Sequence, residues 1–180
     1  MRKNNGYGYT NIISTIINGC GFESYVEIGL FECKNFNFII DNNPQLSISY
    51  GVDIDPKCLG FFSKNQKCKF INTSSDNFFE QVKNETFDCI FIDSHHSFSQ
   101  SLKDFKNGLN ILNDDGIIFI HDTYPPNMTY TTENYCGDVY KTYIEIMKNH
   151  SSVCEIVTLP IKFGLSIVRK RNITTPLPTL

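Results

Sequence analysis

The sequence predicts a three-layer, doubly wound α/β fold with a seven-stranded, mostly parallel sheet, and three observations carry that expectation. Short apolar runs alternate with helix-length segments of mixed polarity from about residue 11 to residue 122, the order that builds a parallel sheet covered on both faces. The runs Phe87–Asp93 and Gly116–Asp122 are rich in Ile and Phe without polar alternation, as strands buried on both faces must be. The chain then closes on two further runs, Val153–Thr158 and Gly164–Arg169. Their linker, Leu159–Phe163, is too short for a crossover helix, so the pair forms a hairpin and places one antiparallel strand at the carboxyl end.

In chain order, Asn11–Cys20 reads as a short helix leading to a strand at Tyr25–Leu30. A helix over Lys34–Asp41 stops at the Asp-Asn-Asn-Pro turn, because proline disfavours helix in the residue before it. Leu46–Asp53 is the second strand, and Pro56, at a favoured first helical position, opens the next helix. Lys69–Asn72 is a short third strand, and Ser75–Lys83 is a helix begun by Ser and Asp caps. Ser97–Leu112 is the helix between the two Ile-rich strands, and Asp114-Asp115-Gly116 supplies a tight turn before the second of them. Thr123–Gly137, with two prolines and no apolar period, is a long loop of the kind that usually serves as a lid or stays disordered. Asp138–Lys148 is the last helix, and Asn172–Leu180 a frayed tail. No repeat and no linker divides the chain, so residues 1–180 are expected to form a single domain.

The 41% apolar content suits a globular core, and a net charge of −3 gives no electrostatic case for nucleic acid or an anionic membrane surface. No apolar run approaches the roughly 20 residues of a membrane helix, and the start, MRKNNGYGYTNIIS, makes a poor signal peptide. Seven cysteines without CxxC spacing read as reduced, mostly buried thiols of a cytoplasmic protein rather than a zinc site.

The ligand crevice of an open α/β sheet lies beyond the carboxyl ends of its strands. Asp93, His95, His96, His121 and Asp122 therefore converge there from two neighbouring strands, with three of the chain's four histidines. The first strand ends in Val26-Glu27-Ile28-Gly29, where glycine allows a sharp turn and close approach to a ligand. The second ends in Asp53, where nucleotide-binding folds of this kind accept hydrogen bonds from ribose hydroxyls; alternatively Gly29 only closes a turn and Asp53 only caps a helix. A dinucleotide is disfavoured, because Leu30-Phe31-Glu32-Cys33 replaces the G-x-G-x-x-G turn and Glu32 repels a pyrophosphate. A phosphate-free, positively charged cofactor such as S-adenosylmethionine avoids both penalties.

The segments VEIG at 26–29, GVDIDP at 51–56, TSSDNFF at 73–79 and FDCIFIDSHHSF at 87–98 resemble the class I S-adenosylmethionine-dependent methyltransferases. With LKDFKNGLNILNDDGIIFIHD at 102–122 and CGDVYK at 136–141, the resemblance narrows to the methyltransferase domain 24 family and spans about residues 24–168. It implies a Rossmann-like methyltransferase fold and S-adenosylmethionine as cofactor. Glu27, Gly29, Leu30 and Phe31 are then expected on the cofactor, the last three under its methionine end. Asp53 is expected on the ribose, Ile54 on the adenine face, Ser74, Ser75 and Asp76 along the adenine edge, and Asp93 beside the transferring methyl group. Relatives usually carry more glycine after Gly29, where this chain has Glu32, Cys33 and Lys34.

Methyl transfer asks the protein to position an acceptor and, for a hydroxyl, to take its proton. His96 stands where relatives hold a histidine and is the expected base, with His121 and Asp122 as further catalytic candidates; the alternative is that His96 caps the helix near Ser97. Related O-methyltransferases place ligands for magnesium at these two strand ends, so Asp93, His121 and Asp122 are the expected metal set, with manganese favoured by a histidine donor. Tyr124, Tyr130 and Tyr135 offer walls for an acceptor, and Asp138 and Lys141 either face the cleft or pair with each other. The expected function is O-methylation of a small hydroxylated metabolite or sugar, with oligomerisation open. The alternatives are a catalytically silent cofactor-binding or assembly module and a metal-dependent oxidative enzyme on the same scaffold.

Overall fold

The computed structural model describes residues 8–171; the expected tail at 172–180 lies outside them. Seven strands form one sheet: β1 (Ser24–Ile28), β2 (Ile48–Asp53), β3 (Cys68–Asn72), β4 (Phe87–Ile92), β5 (Leu112–His121), β6 (Cys154–Leu159) and β7 (Leu165–Lys170). Their order across the sheet is β3-β2-β1-β4-β5-β7-β6. Neighbours from β3 to β5 run parallel, while β7 is antiparallel to both β5 and β6. The expected terminal hairpin and its antiparallel strand are therefore present.

Five helices cover the two faces: α1 (Gly8–Cys20), α2 (Lys34–Asn42), α3 (Ser75–Gln81), α4 (Phe98–Ile111) and α5 (Tyr140–Asn149). One apolar cluster, with Tyr9, Ile13, Ile17, Phe36 and Ile39, fills the layer beneath α1 and α2. The other, with Phe78, Phe79, Phe105, Ile111 and Ile146, fills the layer beneath α3, α4 and α5. β1 is buried along its whole length, as a central parallel strand should be.

Three local expectations differ from the structure. Pro56 opens only a 3₁₀ turn, Pro56–Gly60, which Asp55 caps by accepting a hydrogen bond from the Lys57 amide. Asp114-Asp115-Gly116 is not a turn: β5 begins at Leu112 and runs through it, with a register shift against β4 between Phe87 and Cys89. That irregular stretch is tied down from both sides, since Asn113 Nδ2 donates to Asp88 and Lys170 Nζ to the Leu112 carbonyl. Finally, α5 starts at Tyr140 rather than Asp138, because the Asp138 carboxylate is bonded elsewhere.

Candidate active site

The strand order brings the ends of β2, β1, β4 and β5 side by side along the carboxyl edge. At the end of β1, Gly29 adopts φ +89°, and a Cβ there would lie 2.2 Å from the Asp93 carbonyl oxygen. Only glycine allows this close passage of two strand ends. Beyond it Phe31 and Cys33 also adopt left-handed backbone, φ +49° and +54°, and Glu32 forms an ion pair with Lys34.

Asp53 organises this loop. Its Oδ2 accepts hydrogen bonds from the Leu30 amide (2.7 Å) and the Phe31 amide (3.2 Å), and its Oδ1 accepts from the Asp55 amide (2.8 Å). Asp53 thus braces the loop after β1 from the carboxyl end of β2, and the cap of the following turn falls to Asp55. Ile54 is 75% exposed and Phe31 79% exposed, leaving two apolar surfaces on the rim of the groove. Ser74 caps α3. Ser75 and Asp76 accept hydrogen bonds from Gln100 on α4, and Asp76 pairs with Lys103 at 2.7 Å, which holds its carboxyl below the usual range.

Glu27 is not brought to the groove. It is 1% exposed beneath the loop, where its Oε2 accepts hydrogen bonds from the Tyr25 hydroxyl (2.5 Å) and Asn35 Nδ2 (2.9 Å). Burial outweighs these bonds and pushes its pKa up to about 8. Leu30, only 4% exposed, likewise belongs to the core, and its amide rather than its side chain borders the groove.

Asp93, His96 and Asp122 converge where β4 and β5 end. His96 Nε2 lies 3.3 Å from Asp122 Oδ2 and 4.0 Å from Asp93 Oδ1. One ligand atom from each of the three falls within 4.8 Å of the others, a spacing that could hold a metal ion. They line a small recess with Ser94, His95 and Val139. Asp122 carries left-handed backbone, φ +62°, and burial raises its carboxyl pKa against the lowering effect of His121.

His121 sits behind this group, with both ring nitrogens engaged. Nε2 donates to the Lys162 carbonyl at 2.7 Å, and Nδ1 lies 3.2 Å from both Asp93 Oδ1 and Asp122 Oδ1. Tyr9 on α1 packs against the ring in a tilted arrangement, 4.4 Å between centroids. Burial favours a neutral imidazole, but the adjacent Asp93 and Asp122 prevail and push the pKa up to about 9. His121 is therefore held between Asp93 and Asp122, which favour its protonated form. It also lines the recess, but its Nε2 is turned to the Lys162 carbonyl, and the three residues whose ligand atoms cluster are Asp93, His96 and Asp122.

The three tyrosines expected to wall an acceptor lie beyond β5. Tyr130 packs on Tyr135 and on Phe163 from the β6–β7 connection, each at 5.2 Å, while Tyr124 is held by its amide bond to the Phe163 carbonyl. Lys141 pairs with Asp138. Sequence reasoning missed Lys162, whose contribution is a main-chain carbonyl and leaves no side-chain signal. It also missed Tyr9, which lies on a helix far away along the chain. The buried Asp104 on α4, which accepts hydrogen bonds from Ser94 and Gln100, did leave a signal: an acid in line with the buried Ser101 and Gly108.

A family model described as a methyltransferase domain matches residues 26–123. The chain belongs to this methyltransferase-domain family. No curated protein matches it in sequence, but many solved structures match it in fold. A candidate caffeoyl-CoA O-methyltransferase from Staphylococcus aureus aligns with TM-score 0.75 and 15% identity over 91% of this chain and 83% of its own. An S-adenosylhomocysteine-bound methyltransferase from Podospora anserina aligns with TM-score 0.74 and 15% identity over 91% and 78%. An O-methyltransferase from Bacillus cereus, also in complex with S-adenosylhomocysteine, gives TM-score 0.73 and 13% identity over 91% and 80%. The methyltransferase fold is thus shared, and the match to the family model extends from the end of β1 through the His121-Asp122 strand end.

Proposed function

We propose that this protein methylates a hydroxyl of a small acceptor, using S-adenosylmethionine bound over Gly29 and Asp53 and His96 as general base. The observation that supports it most is the adjacency of two features. A groove with a glycine that tolerates no Cβ and an acid bracing its loop adjoins a histidine–carboxylate cluster on the next strand ends. The residues fit the cofactor. Asp53 can accept from ribose hydroxyls, the exposed Ile54 can cover the adenine, and Asp93 places negative charge where a sulfonium would lie. S-adenosylmethionine would supply an electrophilic methyl group there.

The chain's own residues then have separable tasks. His96 Nε2 lies 3.3 Å from Asp122 Oδ2; a ring proton held on that side would leave Nδ1 to take the acceptor's proton. His121 holds Asp93 and Asp122 in place and is not the base, since both its nitrogens are bonded. A second reading is favoured by the spacing of Asp93, His96 and Asp122. These donors would hold a divalent ion, with manganese suited better than magnesium by the imidazole, and the ion would orient and acidify the hydroxyl.

The test is turnover with and without metal, measured on a panel of catechols, phenols and sugars. His96→Ala is expected to lower turnover by about 10²–10⁴, the usual worth of a general base, while cofactor affinity stays within a few-fold. A rate abolished by chelation and restored by manganese transfers the role of His96 to metal ligation. A His96→Ala enzyme with full activity overturns both readings.

A further inference from the structure

The His96 loop is held from outside by three consecutive residues that precede α5. Gly137 adopts φ +55°, and a Cβ there would fall 1.6 Å from the His96 carbonyl oxygen, so its main chain lies flush against that of His96. One residue on, Asp138 Oδ1 accepts the Phe98 amide, the first of α4, at 2.5 Å. One residue back, Cys136 is fully buried and its thiol feels the charge of Asp122, the carboxylate that His96 faces. By contrast, the other main-chain hydrogen bonds of residues 95–98 are local: Ser97 amide to His95 carbonyl, and Ser101 amide to Ser97 carbonyl. The side chains of His95 and Ser97 also bond within the same turn. Such local bonds shape the turn but do not determine where it sits relative to β5.

We propose that Cys136-Gly137-Asp138 is a positioning element for His96, with Asp138 anchoring the loop so that the imidazole stays against Asp122. The catalytic meaning of this rests on His96 being the base; the anchoring itself does not. Asp138 also pairs with Lys141 at 3.0 Å, so the two partners must be separated. The amide bond needs an oxygen acceptor at residue 138 and no charge, whereas the ion pair needs the charge.

The experiment is imidazole nuclear magnetic resonance of the free protein, with the His96 ring signals identified by their loss in His96→Ala. In Asp138→Ala those signals are expected to shift or broaden by more than a linewidth, while those of His150 stay in place. Asp138→Asn, which keeps an oxygen acceptor, should return them close to their original positions, and Lys141→Ala should leave them unmoved. On any acceptor that is methylated, Asp138→Ala should lower kcat about 10- to 100-fold with the KM for S-adenosylmethionine within threefold, the pattern of lost orientation. Should Asp138→Ala fail to fold, Asp138→Glu takes its place, since the longer arm displaces the anchor without removing it. His96 signals that superimpose on wild type in these variants overturn the anchoring, whatever His96 does in catalysis. A shift of equal size in Lys141→Ala also overturns it, by assigning the effect to the ion pair.

Discussion

Two histidines that share the same pair of carboxylates acquire opposite characters here, and hydrogen-bond geometry decides which is which. His121 points one nitrogen at the Lys162 carbonyl and the other at the acids, which raise its pKa, so both nitrogens are committed. His96 keeps about a third of its side chain exposed, and its Nε2 faces Asp122 and Asp93 across the recess. Asp53 also does two things at once. Because it braces the Leu30 and Phe31 amides as well as being the proposed ribose contact, Asp53→Ala is expected to weaken S-adenosylmethionine by about 1.5–3 kcal/mol, roughly 10- to 150-fold. Titration calorimetry checks this; an unchanged affinity moves the ribose contact to another residue. The acids and histidines of this site were legible in the sequence because buried parallel strands are apolar throughout and their first polar residues mark the crevice. The engagement of His121 was not legible, since it depends on Lys162, 41 residues away, and on Tyr9 on α1.

At the scale of single elements, the loop after β1 turns on left-handed Phe31 and Cys33 instead of glycines. Left-handed backbone costs a residue with a side chain about 1–2 kcal/mol, and the greater unfolded freedom of glycine returns about 0.5–1 kcal/mol of that. Phe31 is exposed and its side chain adds little to packing. Phe31→Gly is therefore expected to stabilise the fold by about 0.5–1 kcal/mol, read as a higher urea midpoint; a lower midpoint means that the aromatic ring supports the loop. Elements with a long apolar period or a strong cap were readable from the sequence, and α2, α3 and α4 fall within a few residues of expectation. The misses are places where tertiary contacts override local signals. The Asp114-Asp115-Gly116 segment stays in β5 because Asp88 and Lys170 hold the strand around it, and α5 begins late because Asp138 serves α4.

Over the whole molecule, a buried acid beneath the active-site loop links stability to pH. Glu27 has a folded-state pKa of about 8 against an ordinary 4.5, so the native state holds its proton more tightly than the unfolded chain. The sign follows: this contribution is full below about pH 4.5 and is lost as pH rises through about 8, at about 1.4 kcal/mol per pKa unit. Glu27→Gln keeps a neutral acceptor for Tyr25 and Asn35, and it should flatten the decline of stability between pH 5 and pH 8.5 in urea unfolding. Parallel pH profiles for the variant and the wild type contradict the assignment.

The central claim is that Gly29 and Asp53 form a site for S-adenosylmethionine although Glu32, Cys33 and Lys34 follow where relatives carry more glycine. The most direct measurement is a calorimetric titration of the wild-type protein with S-adenosylmethionine and S-adenosylhomocysteine. One-to-one binding at micromolar concentrations, weakened in Asp53→Ala and unaffected in His96→Ala, is the predicted result. No binding of either compound at millimolar concentration contradicts it and leaves a methyltransferase fold without its cofactor.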